Sequence, residues 1–375
     1  MPRILKLRAL AAWLSLWLLC SCATAPYPPA ISPPSELPAD VAMNRNAGRW
    51  SLLFVTLRWE NGEEMPFVVD TGSSWTLCDE SLQPRLGKRL NTITVATWGN
   101  EHKAGVYAAP KLYLGNVPLV VSNIVTCDFT KLHYPGRIGG VLGMDCLKHY
   151  CVQLDFEAGR IRLLDPEQIN AAELGKPFPL TFRWNLPFIH QATLAGGIIT
   201  NALIDTGYDV DGRVEKGAAG TTNALAANES KTLHLPACSW GGETYTNLIV
   251  RQADSRYVIG LRFLARHLVT FDFPHQTMYL KQTRRGPLAD KDIEAAVEFL
   301  TDLKKKGQAP GWSKHDKVSI YAHPSIPDTL GTQKNRDSSV YYFTVTGGSG
   351  DIPWKLQKAW RTDQKDQTIE EYRIP

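Results

Sequence analysis

The sequence predicts an all-β fold: two copies of one β-rich unit related by a pseudo-twofold axis, followed by a small mixed α/β extension. Three observations predict it. From residue 48 to about 283 the chain runs in short β-branched and aromatic stretches (50–59, 66–69, 117–125 and 152–156) broken by Gly, Asn and Pro turns. Val141-Leu142-Gly143-Met144-Asp145-Cys146-Leu147 aligns without gaps on Val258-Ile259-Gly260-Leu261-Arg262-Phe263-Leu264. This offset of 117 also carries Val152, Asp155, Phe156 and Leu163 onto Val269, Asp272, Phe273 and Leu280. Upstream, Phe67-Val68-Val69-Asp70-Thr71-Gly72 matches Ala202-Leu203-Ile204-Asp205-Thr206-Gly207 at an offset of 135.

Taken in order, the chain opens with a basic segment (Arg3, Lys6, Arg8) and an apolar one (residues 9–19) too short to span a bilayer as a helix, the pattern of a signal peptide. Leu19-Cys20-Ser21-Cys22 follows and resembles a bacterial lipobox, with Cys20 an unusual occupant. The expectation is a lipoprotein signal over 1–22, lipid on Cys22, and export to the cell envelope; the alternative is ordinary secretory cleavage near Ala23 or Ala25. Ala23 after the lipidated Cys resembles lipoproteins sorted to an outer membrane, here on its periplasmic face. Residues 23–47 hold prolines 26, 28, 29, 33, 34 and 38, which fix φ and remove amide donors, so this stretch is expected to be a tether.

The two β-rich units are expected over 48–165 and 176–283. From Asp to Gly the interval is 73 residues in the first (70 to 143) and 55 in the second (205 to 260), so copy two has lost a loop or hairpin. One Asp-Thr-Gly string is weak evidence, since an Asp in a turn commonly accepts local backbone hydrogen bonds. Two strings are more informative, because each follows a buried-strand run and precedes, one unit later, two aliphatics and a Gly.

That pattern resembles the aspartic peptidases, both the single-chain pepsin-like enzymes and the retropepsins that build one site from two chains, over about residues 48–282. The resemblance implies an aspartic endopeptidase with Asp70 and Asp205 as catalytic pair. It implies that Thr71 and Thr206 cross-bond between lobes, that Gly72 and Gly207 let backbone approach the carboxylates, and that the first hydroxyl of Ser73-Ser74 reaches the adjacent carboxylate. Like charges about 3 Å apart cannot both ionise, so the pair would share a proton, one member acting on a water and the other on the scissile carbonyl. Such chemistry needs no metal or cofactor. Lobe two departs from the family in Tyr208 and Asp209, and a further acid near Asp205 would raise the pair's pKa values. The alternative reading is a catalytically weak or inactive peptide-binding lipoprotein; a third is a structural envelope protein.

The family also covers its cleft with a hairpin flap, and two strand-like runs between Asn91 and Pro110 meet at Trp98-Gly99-Asn100, so Trp98 and Gly99 are candidate substrate contacts. In copy two, residues 217–228 read as a loop. His133, His149 and His190 lack metal spacing, and of the seven cysteines Cys78, Cys127, Cys146, Cys151 and Cys238 read as small buried hydrophobes. No Gly-x-Ser-x-Gly elbow surrounds Ser73.

Residues 284–375 resemble nothing assignable. Ile293, Ala296, Val297, Leu300 and Leu303 predict a helix over 290–306 capped by Asp290, and residues 338–345 read as a strand. At 375 residues, 43% hydrophobic and 21% charged, the chain is long enough for such an arrangement. A formal charge of +4 without basic-aromatic clusters argues against nucleic acid, since Lys304, Lys305 and Lys306 close a helix where its dipole favours cations. The expected partners are therefore a polypeptide substrate and a membrane, with both half-sites in a monomer.

Overall fold

The computed structural model describes residues 37–374 apart from 50, 98–99, 130–137, 193, 195–200, 216–230, 254–255, 289–290, 323–328, 335–338, 347–352 and 364–366. Cys22, the signal-like segment, Trp98, Gly99, His133, Asp290 and the 217–228 loop lie outside these residues. Among the described residues no helix is long and apolar enough to cross a membrane.

The fold is mostly β, as its strand-dense sequence implies. A six-stranded antiparallel sheet joins the two lobes in the order Ala39–Ala42, Arg160–Leu164, Cys151–Asp155, His267–Asp272, Thr277–Gln282, Lys176–Pro179. At its centre Gln153 lies opposite Thr270, and these two positions are copies of each other at the offset of 117. The pseudo-twofold axis therefore passes between them. Gln153 Nε2 donates to Thr270 Oγ1 across it at 3.0 Å. Ala39–Ala42, assigned to the tether by proline content, is instead an edge strand, because the prolines end at 38 and Ala-Asp-Val-Ala can pair with Arg160–Leu164.

Above this sheet each lobe carries its own. The nine strands of the first lobe include Phe54–Trp59, Glu64–Val69, Leu77–Asp79, Asn123–Cys127 and Gly140–Leu142. The seven of the second include Leu186–Ile189, Ala202–Asp205, Gly212–Val214, Glu243–Gln252 and Val258–Gly260. In both, the strand entering the Asp-Thr-Gly turn runs parallel to the aliphatic-aliphatic-Gly strand, with Leu142 opposite Val69 and Ile259 opposite Ile204. Both partners are buried on two faces, which explains their continuous apolar runs. The Gly of each motif is fixed by packing: a Cβ on Gly143 would sit 2.3 Å from the Trp75 carbonyl oxygen, and one on Gly260 would sit 2.1 Å from that of Val210. Copy two is shorter because, among the described residues, it has no counterpart of the Arg89–Thr97 strand or of the Leu112–Leu114/Val117–Pro118 hairpin.

One continuous apolar core runs through both lobes and the joining sheet, with Phe67, Phe156, Phe263, Phe271 and Phe273 among its fully buried side chains. The five described cysteines are all buried, and burial pushes the thiols of Cys78, Cys151 and Cys238 up to about 12, far from reactive thiolates. A separate core belongs to the C-terminal extension, where the helix Lys291–Lys305 lays Ala296 and Leu300 against Phe343 and Ala359 of a five-stranded antiparallel meander. The strand expected over 338–345 is observed as Val340–Thr346.

Candidate active site

Each Asp-Thr-Gly turn closes a strand that ends at the junction between lobes, and the two threonines lock the junction reciprocally. The Thr71 amide donates to Thr206 Oγ1 and the Thr206 amide to Thr71 Oγ1, both at 3.0 Å. Thr71 Oγ1 donates to the Ile204 carbonyl and Thr206 Oγ1 to that of Val69, both at 2.7 Å. All four bonds are inaccessible to solvent, so each hydroxyl satisfies one donor and one acceptor that would otherwise be buried without a partner.

This lock brings Asp70 and Asp205 together. The Gly72 amide donates to Asp70 Oδ1 at 2.7 Å and the Gly207 amide to Asp205 Oδ1 at 2.9 Å. Each carboxyl lies against the other lobe's glycine: a Cβ on Gly72 would fall 2.4 Å from Asp205 Cγ, and one on Gly207 would fall 2.5 Å from Asp70 Cγ. The two crossed contacts set the carboxyls side by side at the junction, close enough for the charge of Asp70 to act on Asp205. Burial raises Asp70, with the Gly72 amide opposing, and raises Asp205 well above the usual carboxylate range, where the charge of Asp70 adds to burial. Both residues nevertheless keep partial access to solvent, which a reacting water requires. Two acids so placed can hold one proton between them, leaving one base and one acid in contact.

The surroundings differ from the family pattern in three ways. Ser73 Oγ does not reach the Asp70 carboxylate; it donates at 2.8 Å to the Trp75 carbonyl two residues on, a local turn bond that wins because both groups lie in the same loop. Asp209 pairs with Arg251 at 3.3 Å, and the charges bearing on Asp205 are those of Asp70 and, in opposition, Arg213. The Tyr208 ring packs on Val210 and Ile249, with the Arg213 and Arg251 guanidiniums each 5.5 Å from its centroid.

The Arg89–Thr97 and Asn100–Ala108 strands pair antiparallel with Thr97 opposite Asn100, while Trp98 and Gly99 lie outside the described residues. Of the histidines, His190 Nδ1 lies 3.1 Å from Asn201 Oδ1 and His149 is half-buried; no group of three or more His, Cys, Asp or Glu could hold a metal among the described residues.

Two features escaped the sequence reading. Behind the second turn, Asp211 is fully buried with Arg262 and Arg266. Burial pushes its carboxyl up, but the two guanidiniums outweigh that and hold it below the usual range. Lobe one has Thr76 bonded to Asp145 at the matching place, 2.7 Å apart. The offsets of 135 and 117 pair Thr76 with Asp211 and Asp145 with Arg262, so the signal was present as a double exchange of polar type.

The second feature is Trp184, 75% exposed at the tip of a two-residue hairpin whose residues Trp184 and Asn185 both have positive φ. Its carbonyl accepts from Ser74 Oγ of the other lobe at 2.8 Å, and the Arg256 guanidinium lies 5.7 Å from its ring. The signal here was an Arg-Trp-x-Leu-x-Phe string, present at residues 49–54 and again at 183–188.

No curated protein matches the chain. Residues 55–146, which include the first Asp-Thr-Gly turn and its supporting Val141-Leu142-Gly143 strand, match the family described as aspartyl protease. The first lobe is thus similar to that family over its whole sheet, and the match supports an aspartic peptidase family for the chain.

Proposed function

We propose that the chain is an aspartic endopeptidase in which Asp70 and Asp205 activate water to hydrolyse a peptide bond. The observation that carries this reading is the pair of carboxyls, one from each lobe, each set against the other lobe's glycine and held across the pseudo-twofold axis by the four threonine bonds.

With one shared proton, the ionised member takes a proton from water as the water oxygen attacks the scissile carbonyl carbon. The protonated member hydrogen-bonds to the carbonyl oxygen and transfers its proton there, giving a tetrahedral gem-diol. On collapse the C–N bond breaks, a proton passes to the leaving nitrogen, and the pair returns to its singly protonated state. Thr71, Thr206, Gly72 and Gly207 act by holding the carboxyls in register.

The substrate is an extended polypeptide lying between the lobes beside the paired Arg89–Thr97 and Asn100–Ala108 strands, with Trp98 and Gly99 as candidate contacts from the sequence and backbone hydrogen bonds supplying sequence-independent affinity. Both half-sites come from one chain, which favours a monomer. A lipid on Cys22 and the proline-rich stretch after it would hold this body at the envelope, on the periplasmic face of an outer membrane.

The test is cleavage of a diverse peptide library between pH 4 and 8 by the full chain in detergent, beside Asp70→Asn and Asp205→Asn. Cutting by wild type and loss in both variants is the expected result. A folded wild type that cuts nothing, or cutting that survives either substitution, refutes the proposal.

A further inference from the structure

The strand registers allow the two lobes to be compared row by row. In lobe one the row running across the sheet through the second residue before the Asp is Phe54, Val68, Val141, Leu77, Val125 and Val106. Every member is apolar, and Val68, Val141, Leu77 and Val125 are buried in one cluster on that face. The same ladder in lobe two reads Phe188, Leu203, Val258, Arg213, Arg251 and Thr232. Two arginines stand where lobe one has Leu77 and Val125.

Strand alternation puts this row on the face of the Asp205 carboxylate, because Leu203 and Asp205 are two residues apart on one strand. The charge of Arg213 accordingly reaches Asp205. A third arginine extends the patch, since Arg213 Nε donates to the Arg256 carbonyl at 3.0 Å and the Arg256 guanidinium covers Trp184. Two acids lie near: Asp209 pairs with Arg251 and the charge of Glu215 bears on Tyr257, but among the described residues neither Arg213 nor Arg256 has a carboxylate within ion-pair distance. The face that is oily in one lobe is cationic and aromatic in the other.

We infer that Arg213, with Arg251 and Arg256 beside Tyr208 and Trp184, forms a subsite on the second-lobe side of the cleft that takes an acidic side chain of the substrate. The inference rests on the peptidase reading for the identity of the ligand as a polypeptide. It places a preference for Glu or Asp toward lobe two, whereas the matching lobe-one row is buried in packing. Arginine suits the role because its planar fork can bind a carboxylate with two parallel hydrogen bonds. Tyr208 between two guanidiniums holds them apart and oriented.

The experiment uses peptides identical except for Glu, Gln or Lys at each position in turn. They are assayed for cleavage by the full chain and for binding, by fluorescence anisotropy, to the full-chain Asp70→Asn variant. At one position Glu should exceed Gln roughly 10- to 100-fold in kcat/KM and in affinity, the range of a charge-assisted hydrogen bond, with Lys lowest. In the Asp70→Asn background Arg213→Leu, which restores the lobe-one row, should abolish the binding preference, while Arg213→Lys keeps part of it. Asp209→Asn frees Arg251 and should raise the Glu-to-Gln ratio. Arg256→Gln, at an exposed position, serves if Arg213→Leu does not fold, and should lower the ratio.

Glu and Gln handled alike at every position, or a preference unchanged by these substitutions, overturns the inference. Absence of cleavage alone would refute the peptidase reading and leave the binding arm to decide this one.

Discussion

Replacing Thr206 by Val keeps the side-chain volume and removes one hydroxyl that both donates to the Val69 carbonyl at 2.7 Å and accepts from the Thr71 amide at 3.0 Å. The site is closed to water, so two backbone groups would be left buried with their bonds broken. At about 1–3 kcal/mol for each such group, the expected loss is roughly 2–6 kcal/mol. The twofold arrangement makes a sharper claim, since Thr71→Val breaks the matching bonds to the Ile204 carbonyl and the Thr206 amide. The two variants should therefore lose the same amount within about 0.5 kcal/mol. The double variant should lose less than the sum, because the first substitution already loosens the junction that the second pair spans. Urea unfolding followed by tryptophan fluorescence reads all three, with unchanged m-values as the control for a common unfolded state. Peptide cleavage measured where each variant is still folded should fall further than stability alone explains, because the carboxyls are registered by these bonds. A loss below about 0.5 kcal/mol in either single variant, or strongly unequal losses, would show that the backbone groups find other partners and that the lock is not reciprocal.

Other expectations follow from the same site. Gly207→Ala puts a Cβ 2.5 Å from Asp70 Cγ, so the Asp70 carboxyl must shift from its place; cleavage should drop by about 100-fold or more, consistent with the cost of roughly 1 Å of misplacement, while Gly286→Ala, where a Cβ would meet only Thr246 Oγ1 at an ordinary 3.7 Å, serves as a remote control. The pH dependence of stability has two opposed parts. His267 is buried neutral, hydrogen-bonded to the Tyr245 hydroxyl at 2.9 Å and lowered from 6.5 to about 4 by burial, so its contribution is complete above pH 6.5 and is lost as pH falls toward 4. The loss is roughly 3 kcal/mol at about 1.4 kcal/mol per unit, and His267→Gln should flatten it in urea titrations across that range. The raised Asp70–Asp205 pair has the opposite sign: its contribution is present below the ordinary carboxylate range and is lost as pH rises through the folded values. Asp205→Asn should therefore gain stability relative to wild type between pH 4 and 7, and no gain would mean the pair is not held against ionisation.

The fold was legible where the sequence repeats itself, because a repeat reports on three-dimensional equivalence without any need to predict a turn. Asp70 and Asp205, the four threonine bonds, and the parallel pairing of Val69 with Leu142 and of Ile204 with Ile259 all lie in segments that align without gaps. What the sequence hid lies where the two copies diverge. The Asp211–Arg262–Arg266 cluster is invisible to a search for similarity, since it replaces a Thr–Asp pair by an Asp–Arg pair at matched positions. Arg213 was hidden by register: the offset of 135 that aligns the Asp-Thr-Gly turns places it against Cys78, whereas the strand ladder places it against Leu77, one residue out of step. A slip of one residue reverses the face of every side chain in a strand, so alignment alone puts Arg213 on the wrong side. Ser73 failed for a different reason, since its hydroxyl is taken by the Trp75 carbonyl two residues on, a local turn bond that a motif does not show.

The division between what is kept and what varies has a physical order. Everything that sets the separation of the two carboxyls is duplicated: threonine hydroxyls, glycine amides, and the glycines at 143 and 260 that let the supporting strands press against the turns. These parts obey the twofold axis because a shared proton is indifferent to which lobe supplies which oxygen. A polypeptide lying across the axis has a direction, and its two ends meet different lobes, so nothing requires the flanking faces to match. In this chain they do not: Leu77 and Val125 face Arg213 and Arg251 across the pseudo-axis, and the long 89–108 hairpin belongs to lobe one. An enzyme assembled from two identical chains starts with identical faces, whereas fusing the copies frees each lobe to change alone. On the proposed peptidase reading, the placement of charge in lobe two, rather than Asp70 and Asp205, is where selectivity among peptides should be sought.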